Sequence, residues 1–418
     1  MSKLDEMIRE LCPDGVEYKR FDEVCTLNAR IGWQRLTKAE YMSKGDYLLI
    51  TGTDFTETHE IDYSTCVYVT EERYKQDLKI QLKNGDILIT KDGTLGKVAQ
   101  VKGLEMPATL NGGVFVVRCK DGSLENRFIL HYLLSNHFQS VVEQQKTGST
   151  ISHLTQTLFS RLMIPIPPLE IQREIVRILD NFTELTAELT AELTARKTQY
   201  SFYRSRLLTF DANVEWKTVD EIAEVTDYVA NGSFAALKEN VNYKHTPDYA
   251  ILVRTTDLVN GFDEENLVYI DKHAYNYLSK SKLYGGEIII NNIGAGVGTT
   301  FLCPCLDTYM SLAPNSIMVK TNNNKFYYYW LNSKEGQNAI RKIVSQGSLP
   351  KFNKTGFRSI RLPVPPLDVQ NRIVNVLDNF EKICSDLNMG LPAEIEARQK
   401  QYEYYRDKLL TFKEVAAT

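Results

Sequence analysis

The side chains in this sequence that could act on another molecule sit in three polar loops, and each loop occurs twice. The first is TGTDF (51–55) and RTTDL (254–258). The second, rich in glycine, is KDGTLGK (91–97) and NNIGAGVG (291–298). The third is KTGSTISHL (146–154) and SQGSLPKFNK (345–354). Hydroxyls, amides and amino groups of this kind contact phosphate oxygens and base edges, and glycine lets a backbone come close to a ligand. The first copies offer Thr51, Thr53, Lys91, Thr94, Lys97, Lys146, Ser149, Thr150 and His153. The second copies offer Arg254, Thr255, Thr256, Asn291, Asn292, Gln346, Ser348, Lys351, Asn353 and Lys354. One such loop is usually just a turn. Recurrence of all three with different side chains favours a reading module that was duplicated and diverged. Residues 334–361 add seven basic residues against one acid, Glu335. Such a patch suits a phosphate backbone, with a solvated charged face as the alternative.

No catalytic equipment is visible. DGTLGKV looks like a phosphate-binding loop, but its spacing is wrong and Val98 follows the lysine. There is no His-Glu-x-x-His, no Asp/Asn-Pro-Pro-aromatic motif and no serine nucleophile elbow. The six histidines are not at ligand spacing. The seven cysteines are odd in number and scattered, so they are expected as reduced, mostly buried thiols. Cys303 and Cys305 lack the second pair that a zinc site needs. A net charge of −4 weighs, taken alone, against binding a polyanion. No apolar run approaches the roughly 20 residues of a membrane span, and the N-terminus has no signal-peptide core. A cytoplasmic protein without a membrane role is expected.

The elements that must position the loops are also duplicated. IPIPPLEIQREIVRILDNF (164–182) and LPVPPLDVQNRIVNVLDNF (362–380) are identical at 11 of 19 positions, 198 residues apart. VEYK (16–19) matches VEWK (214–217) at the same offset. RKTQYSFYRSRLLTF (196–210) matches RQKQYEYYRDKLLTF (398–412) at an offset of 202. Each Pro-x-Pro-Pro stretch is rigid and extended, and each leads into a helix with proline suited to its first position. The first helix should run about 40 residues, roughly 60 Å, with a seam through Phe182, Leu185, Leu189 and Leu193. ELTAELTAELT (184–194) places leucines four apart, so one more Thr-Ala-Glu-Leu unit would lengthen the helix by about 6 Å. In the second copy Gly390-Leu391-Pro392 interrupts the helix. An intramolecular antiparallel pair is the economical use of two such helices, although core packing or a dimer seam is the bland reading.

Between the helices, β-branched runs predict strands in compact α+β domains: YLLIT (47–51), DILIT (86–90), GVFVVR (113–118), AILVRTTDL (250–258), EIIINN (287–292) and NSIMVK (315–320). FILHYLLSNHF (128–138) and FYYYWLNSKEG (326–336) predict a short aromatic helix in each copy. The aromatics at 326–330 could stack on bases, but their match to the other copy favours core packing. The expected division is residues 1–162, a first variable α+β domain with an N-terminal helix; 163–210, a first helical region; 211–361, a second variable domain; 362–418, a second helical region.

The duplicated Pro-x-Pro-Pro-Leu-[Glu/Asp]-x-Gln motif, its helix and the Thr-Ala-Glu-Leu unit resemble the conserved regions of the specificity subunit of bacterial type I restriction–modification systems. The resemblance covers the whole chain. It implies two similar α/β target-recognition domains separated by long helices that pair as an antiparallel coiled coil. Each domain would read one half of a split, asymmetric site in double-stranded DNA. The helices would set the spacing and dock two modification (methyltransferase) subunits, and motor-endonuclease subunits would complete the complex. The helical positions concerned are Leu169, Gln172, Phe182, Leu185, Leu189, Leu193, Tyr200 and Tyr203, with Leu367, Gln370, Phe380, Tyr402 and Tyr405. The resemblance implies a non-catalytic chain that binds no cofactor or metal, with S-adenosylmethionine on the methyltransferase partner and ATP and Mg on the restriction partner. The alternatives are a coiled-coil scaffold, or an unpartnered or regulatory copy, without DNA-reading activity.

Overall fold

The computed structural model describes all residues except 1–2, 31, 33–35, 148–152, 160, 212, 346, 387 and 416–418; of residues 145–147 it describes the backbone alone. The chain forms two compact units that cut across the sequence division. Unit 1 is Met1–Glu192 together with Leu391–Thr418, and unit 2 is Leu193–Gly390. Each unit therefore combines helical segments from both repeats.

Unit 1 is layered. Its central sheet is antiparallel in the order Cys25–Asn28, Val114–Cys119, Ile87–Thr90, Val98–Gln100. Alternation along these strands serves two cores. Ile87, Ile89, Phe115 and Val117 pack toward the helix Asn126–Leu134. Leu88, Val114 and Val116 pack toward a second sheet, Val67–Tyr68, Leu48–Ile50 and Ala108–Leu110. Unit 2 repeats the plan. Glu224–Asp227, Ser316–Lys320, Ile288–Asn291 and Thr300–Leu302 form its central sheet. Ile288, Ile290, Ile317 and Val319 face the helix Asn324–Leu331, while Ile289 and Met318 face Ile251, Val253, Met310 and Leu312. The aromatic run belongs to the core: Phe326, Tyr327, Tyr329 and Trp330 are buried, so none of them is a stacking surface.

The repeated short motifs are hydrogen-bonded to one another. Tyr18–Arg20 pairs antiparallel with Met163–Pro165, and Trp216–Thr218 with Arg361–Pro363. These two-stranded ties close each layered region at its base, where the helices leave. The first is a single helix, Leu169–Leu207, of 39 residues. The second repeat yields Leu367–Ser385 and Leu391–Leu409, broken where Gly390 was expected to break it. Pro366 lies at the N-cap, one residue before its expected place. The threonines of the tandem unit bond backward, Thr186 Oγ1 to the Phe182 carbonyl and Thr190 Oγ1 to that of Thr186, both at 2.8 Å, which satisfies their hydroxyls within the helix.

Helix pairing occurs inside each unit, between different repeats. In unit 2 the last turns of Leu169–Leu207 run against Leu367–Ser385. Tyr203 stacks on Phe380 at 5.8 Å, Tyr200 donates to Glu381 Oε1 at 3.1 Å, and Leu208 shares a core with Val374 and Leu377. The chain leaves that core along one helix and enters it along the other, so the pair is antiparallel. In unit 1 Phe182 stacks on Tyr405 at 5.4 Å, and Leu410 joins the core of Ile175 and Leu179. Leu185, Leu189 and Leu193 are half-buried along their helix.

A polar junction fixes the aromatic helix of each unit to both of its paired helices. In unit 1 the His131 ring is 1 % exposed. Its Nε2 lies 2.8 Å from Asp180 Oδ1 and its Nδ1 2.9 Å from the Tyr402 hydroxyl. Arg127 forks onto the same carboxylate. In unit 2 the matching positions carry different groups. Lys325 Nζ and the Tyr329 hydroxyl donate to Asp378 at 2.6 Å each, Glu381 Oε2 lies 2.9 Å from that hydroxyl, and Tyr200 completes the set. Burial holds the His131 imidazole below its ordinary value, against the pull of Asp180. A neutral ring therefore donates from Nε2 to Asp180 and accepts from Tyr402 at Nδ1. Burial would raise the Asp180 carboxyl, but hydrogen bonds from His131 and Arg127 outweigh it and hold the group at about 2.

Two outcomes follow from this architecture. Truncation after Gly390 should damage unit 1 rather than unit 2, because it removes Tyr402, Leu410 and the Val16–Glu414 bridge. The lost core side chains alone are worth roughly 2–5 kcal/mol each. Hydrogen exchange should show amides at 128–133 and 171–179 losing protection while those at 326–331 keep theirs; the reverse pattern would contradict the assignment. Stability should also fall below about pH 6.5, the unfolded histidine value. The unfolded chain takes up a proton there that the depressed folded imidazole refuses, so the contribution is complete above that pH and is lost on acidification. His131→Gln keeps a donor and an acceptor but cannot titrate. It should flatten the fall in melting temperature between pH 7 and pH 5, and an unchanged slope would show that His131 is not its source.

Candidate nucleic-acid interface

The polar loops leave the ends of the central strands, and the fold brings them together within each unit. In unit 1, Leu154 N donates to Lys91 O at 3.0 Å, which joins the third loop to the second. In unit 2 the same bond runs from Phe352 N to Asn292 O at 3.1 Å, supported by Gly294 N to Pro350 O at 2.9 Å. The glycine-rich loop is braced identically in both. Gln139 Nε2 donates to the carbonyls of Gly96 (3.0 Å) and Leu133 (2.7 Å); Gln337 Nε2 donates to those of Gly298 (3.2 Å) and Leu331 (2.9 Å). Gly96, at φ +78°, has no room for a side chain, since a Cβ would lie 2.8 Å from Val142 Cγ1.

In unit 1 the first loop joins the same cluster. Thr51, Gly52 and Thr53 line a cleft of about 500 Å³ with Thr90, Asp92, Thr94, Lys97 and the segment 111–113. Lys97 and Thr94 are exposed at its rim. Lys91 is half-buried, with Nζ 5.2 Å from the centre of the Phe115 ring. The Thr51 hydroxyl is engaged with Asp54 Oδ2 at 3.0 Å and caps a short turn. Lys146 (its side chain), Ser149 and Thr150 lie outside the described residues. His153 is exposed and meets Asp92 Oδ1 at 2.5 Å.

Unit 2 sorts its candidates differently. RTTDL is not a loop beyond its first residue: Thr255–Val259 is a short helix, because Asp257 accepts from Arg254 N at 2.8 Å and caps it. The Arg254 guanidinium folds back onto Asp257 and onto the Asn266 carbonyl at 2.6 Å. Asp257 is buried, so Arg254 neutralises an internal charge. Lys354 is tied to Asp227 at 2.8 Å, and Asn353 caps a helix through Gly356 N. Thr256, Ser348 and Lys351 are exposed; Thr255, Asn291 and Asn292 are half-buried; Gln346 lies outside the described residues. Of the basic stretch, Lys334, Arg341, Lys342 and Lys351 are exposed, whereas Arg358 and Arg361 reach the carbonyls of Val225 and Trp216.

Sequence reasoning missed one segment of each site. Asn111–Gly112–Gly113 lines the unit 1 cleft, with Lys91 N donating to Gly113 O; in unit 2 Asn292 N donates to Asn315 O. An Asn-Gly-Gly run between two strands is a turn signal that could have been read. The helical positions also separate. Gln172 is buried, with its carboxamide bonded to Glu125 N and to the carbonyls of Ser123 and Pro167. Gln370, also buried, donates to Pro365 O. These two brace the helix starts and present no surface. Leu169 is half-buried and Leu367 exposed. The most exposed aromatics of the paired helices are instead Phe202 and Tyr404, at 58 % and 61 %, beside the half-exposed Tyr203 and Tyr405. Among the described residues, no helix is long and apolar enough to cross a membrane.

Comparison with known proteins matches this duplicated plan. The family model described as the type I restriction modification DNA specificity domain matches residues 13–196 and again 213–397. The specificity subunit of an Escherichia coli type I restriction enzyme is 31 % identical over 312 residues, covering 71 % of this chain and 73 % of that one. A Haemophilus influenzae protein described as a putative type I restriction enzyme specificity subunit is 31 % identical over 317 residues, covering 72 % and 76 %. The same fold occurs in the HsdS subunit of Thermoanaerobacter tengcongensis (TM-score 0.50, 15 % identity, 96 % and 97 % covered). A chain from a solved type I restriction–modification assembly also shares it (TM-score 0.57, 14 % identity, 96 % and 98 % covered).

The sorting of basic side chains is testable without any ligand. Arg254→Ala leaves the buried Asp257 uncompensated and should destabilise unit 2 by about 1–3 kcal/mol. Lys97→Ala, at an exposed rim, should stay within about 0.5 kcal/mol of the parent. Thermal or denaturant unfolding checks both, and a neutral Arg254→Ala would return that arginine to the set available for a ligand.

Proposed function

Because this chain belongs to the type I restriction–modification DNA specificity family, we propose that its two units are separate readers of the two halves of one split DNA site. The chain is the DNA sequence-specificity subunit of such a system; the division of labour between its units is the reading advanced here. The observation that carries it is the repeated loop cluster. Both units converge a glycine-rich loop and a third polar loop on the end of one sheet, with the same glutamine brace and with different exposed side chains. A duplicated scaffold with diverged tips suits an asymmetric target. Exposed lysines, Lys97 in unit 1 and Lys351 in unit 2, would meet phosphates and fix register, while shorter polar groups reach base edges.

Net charge of −4 fits a subunit that shares phosphate contacts with partners. Two modification subunits would dock on the helical pairs, with Phe202, Tyr203, Tyr404 and Tyr405 as aromatic anchors of the kind that dominate interfaces. A groove of about 720 Å³ beside Tyr404, lined by Asn136, Lys400, Glu403 and Asp407, offers a polar rim. Motor-endonuclease subunits would complete the restriction complex. On this reading the chain itself is non-catalytic and binds no cofactor. Methyl transfer from S-adenosylmethionine to adenine occurs on the modification partner, and ATP and Mg act on the restriction partner. The helical segments set the number of unread bases between the half-sites.

Head exchange tests the reading. Replacing residues 213–361 with the corresponding domain of another specificity subunit, in complex with the cognate methyltransferase, should change one half of the methylated motif and leave the other intact. A change in both halves would refute independent readers, and loss of all sequence preference would refute the reading role of unit 2.

A further inference from the structure

The unit 1 cleft contains one group that a phosphate-binding surface has no use for. Its lining is otherwise threonine, glycine, asparagine, lysine and one leucine, and among them stands the carboxylate of Asp92. The side chain is 30 % exposed, with Oδ1 held by His153 Nδ1 at 2.5 Å. It lies beside the bare backbone of Gly113, where an added Cβ would sit 3.6 Å from Asp92 Cβ and 3.9 Å from Oδ2. One carboxylate oxygen is therefore fixed by the third loop; the other has no donor among the described residues, and Asp92 lines the cleft.

A negative charge opposite a polyanion is repelled by phosphates and gains only where it accepts a hydrogen bond. The donors a duplex offers in its major groove are the exocyclic amino groups, N4 of cytosine and N6 of adenine. The carbonyl oxygens of guanine and thymine in that groove would be repelled. Unit 2 has no counterpart. The backbone bond that aligns Lys91 with Asn292 places Ile293 at the position of Asp92, and Lys351, which bridges Ile293, at that of His153. We infer that Asp92, positioned by His153, is a specificity-determining residue of unit 1 that demands cytosine or adenine, the bases whose amino groups face the major groove, at one position of that unit's half-site. This rests on the reading that unit 1 contacts DNA bases.

The test uses the full chain with its cognate methyltransferase subunit and a DNA library randomised across both half-sites, with methylation read by sequencing. The parent complex should restrict one position to cytosine or adenine on one strand. Asp92→Asn, which exchanges an acceptor-only group for one that also donates, should change preference at that position alone, by roughly 5- to 150-fold. His153→Ala frees the Asp92 carboxylate and should weaken the preference at that same position, by less than Asp92→Asn does, while leaving the other half-site unchanged, as expected of a positioning residue. If Asp92→Asn and His153→Ala instead lower methylation evenly over all sequences, Asp92 is only a tie between two loops and the inference fails while the reader function stands. Altered preference in both half-sites, or none in either, also overturns it. A parent complex with no sequence preference would overturn the reader function itself. Comparable melting temperatures for the three proteins exclude misfolding as the cause.

Discussion

In each unit a buried polar junction ties a helix carboxylate to the aromatic helix and, through it or a neighbouring carboxylate, to the second paired helix, and the rest of the unit is arranged around that tie. Asp180 receives Arg127 and His131 from the aromatic helix, and His131 in turn receives Tyr402 from the returning helix. Asp378 and Glu381 do the same for Lys325, Tyr329 and Tyr200. Leaving such a group unpaired after burial costs several kcal/mol, whereas the intact pair adds little net stability. The junction therefore specifies which helix face meets which domain, while the apolar cores on either side supply the driving force.

The consequence is that each unit is built from both halves of the duplication. A unit assembled from one repeat alone would have a single helix and half a junction. By taking the returning segment 391–418 into unit 1 and the segment 193–207 into unit 2, the chain gives each layered domain an antiparallel pair. The conserved-looking motifs then have distinct tasks. Pro-x-Pro-Pro pairs as a strand with the VEYK or VEWK segment, its glutamine braces the helix start, and the tyrosines of the QYxxYR segment reach the junction. Functional variation is left to the strand ends, where backbone bonds hold the loops and leave exposed side chains free to differ.

Much of this was legible in the residues because repetition exposes constraint. The matched motifs located both helical regions, the core role of Phe326, Tyr327, Tyr329 and Trp330, and the second and third loops, whereas RTTDL proved to be a short helix. Composition alone could not separate a side chain facing solvent from one spent internally. Arg254 and Lys354 have the chemistry of DNA contacts, yet Asp257 and Asp227, distant or unremarkable in sequence, consume them. Gln172 looked like a surface signature and is buried. Phe202 and Tyr404 were passed over because they fall one residue outside the apolar seam. The cross-assignment of residues 391–418 to unit 1 is a long-range pairing that no local pattern encodes, and Asp92 entered the site only once Gly113 and His153 were placed beside it.

The central claim is that this chain gives a methylating complex its bipartite DNA specificity. Methylome sequencing of cells with and without the chain, in the presence of its cognate methyltransferase subunit, tests it most directly. The account predicts an asymmetric split motif that is methylated when the chain is present and unmethylated when it is deleted. An unchanged methylation pattern would contradict it, and the scaffold or regulatory reading would then be the better one.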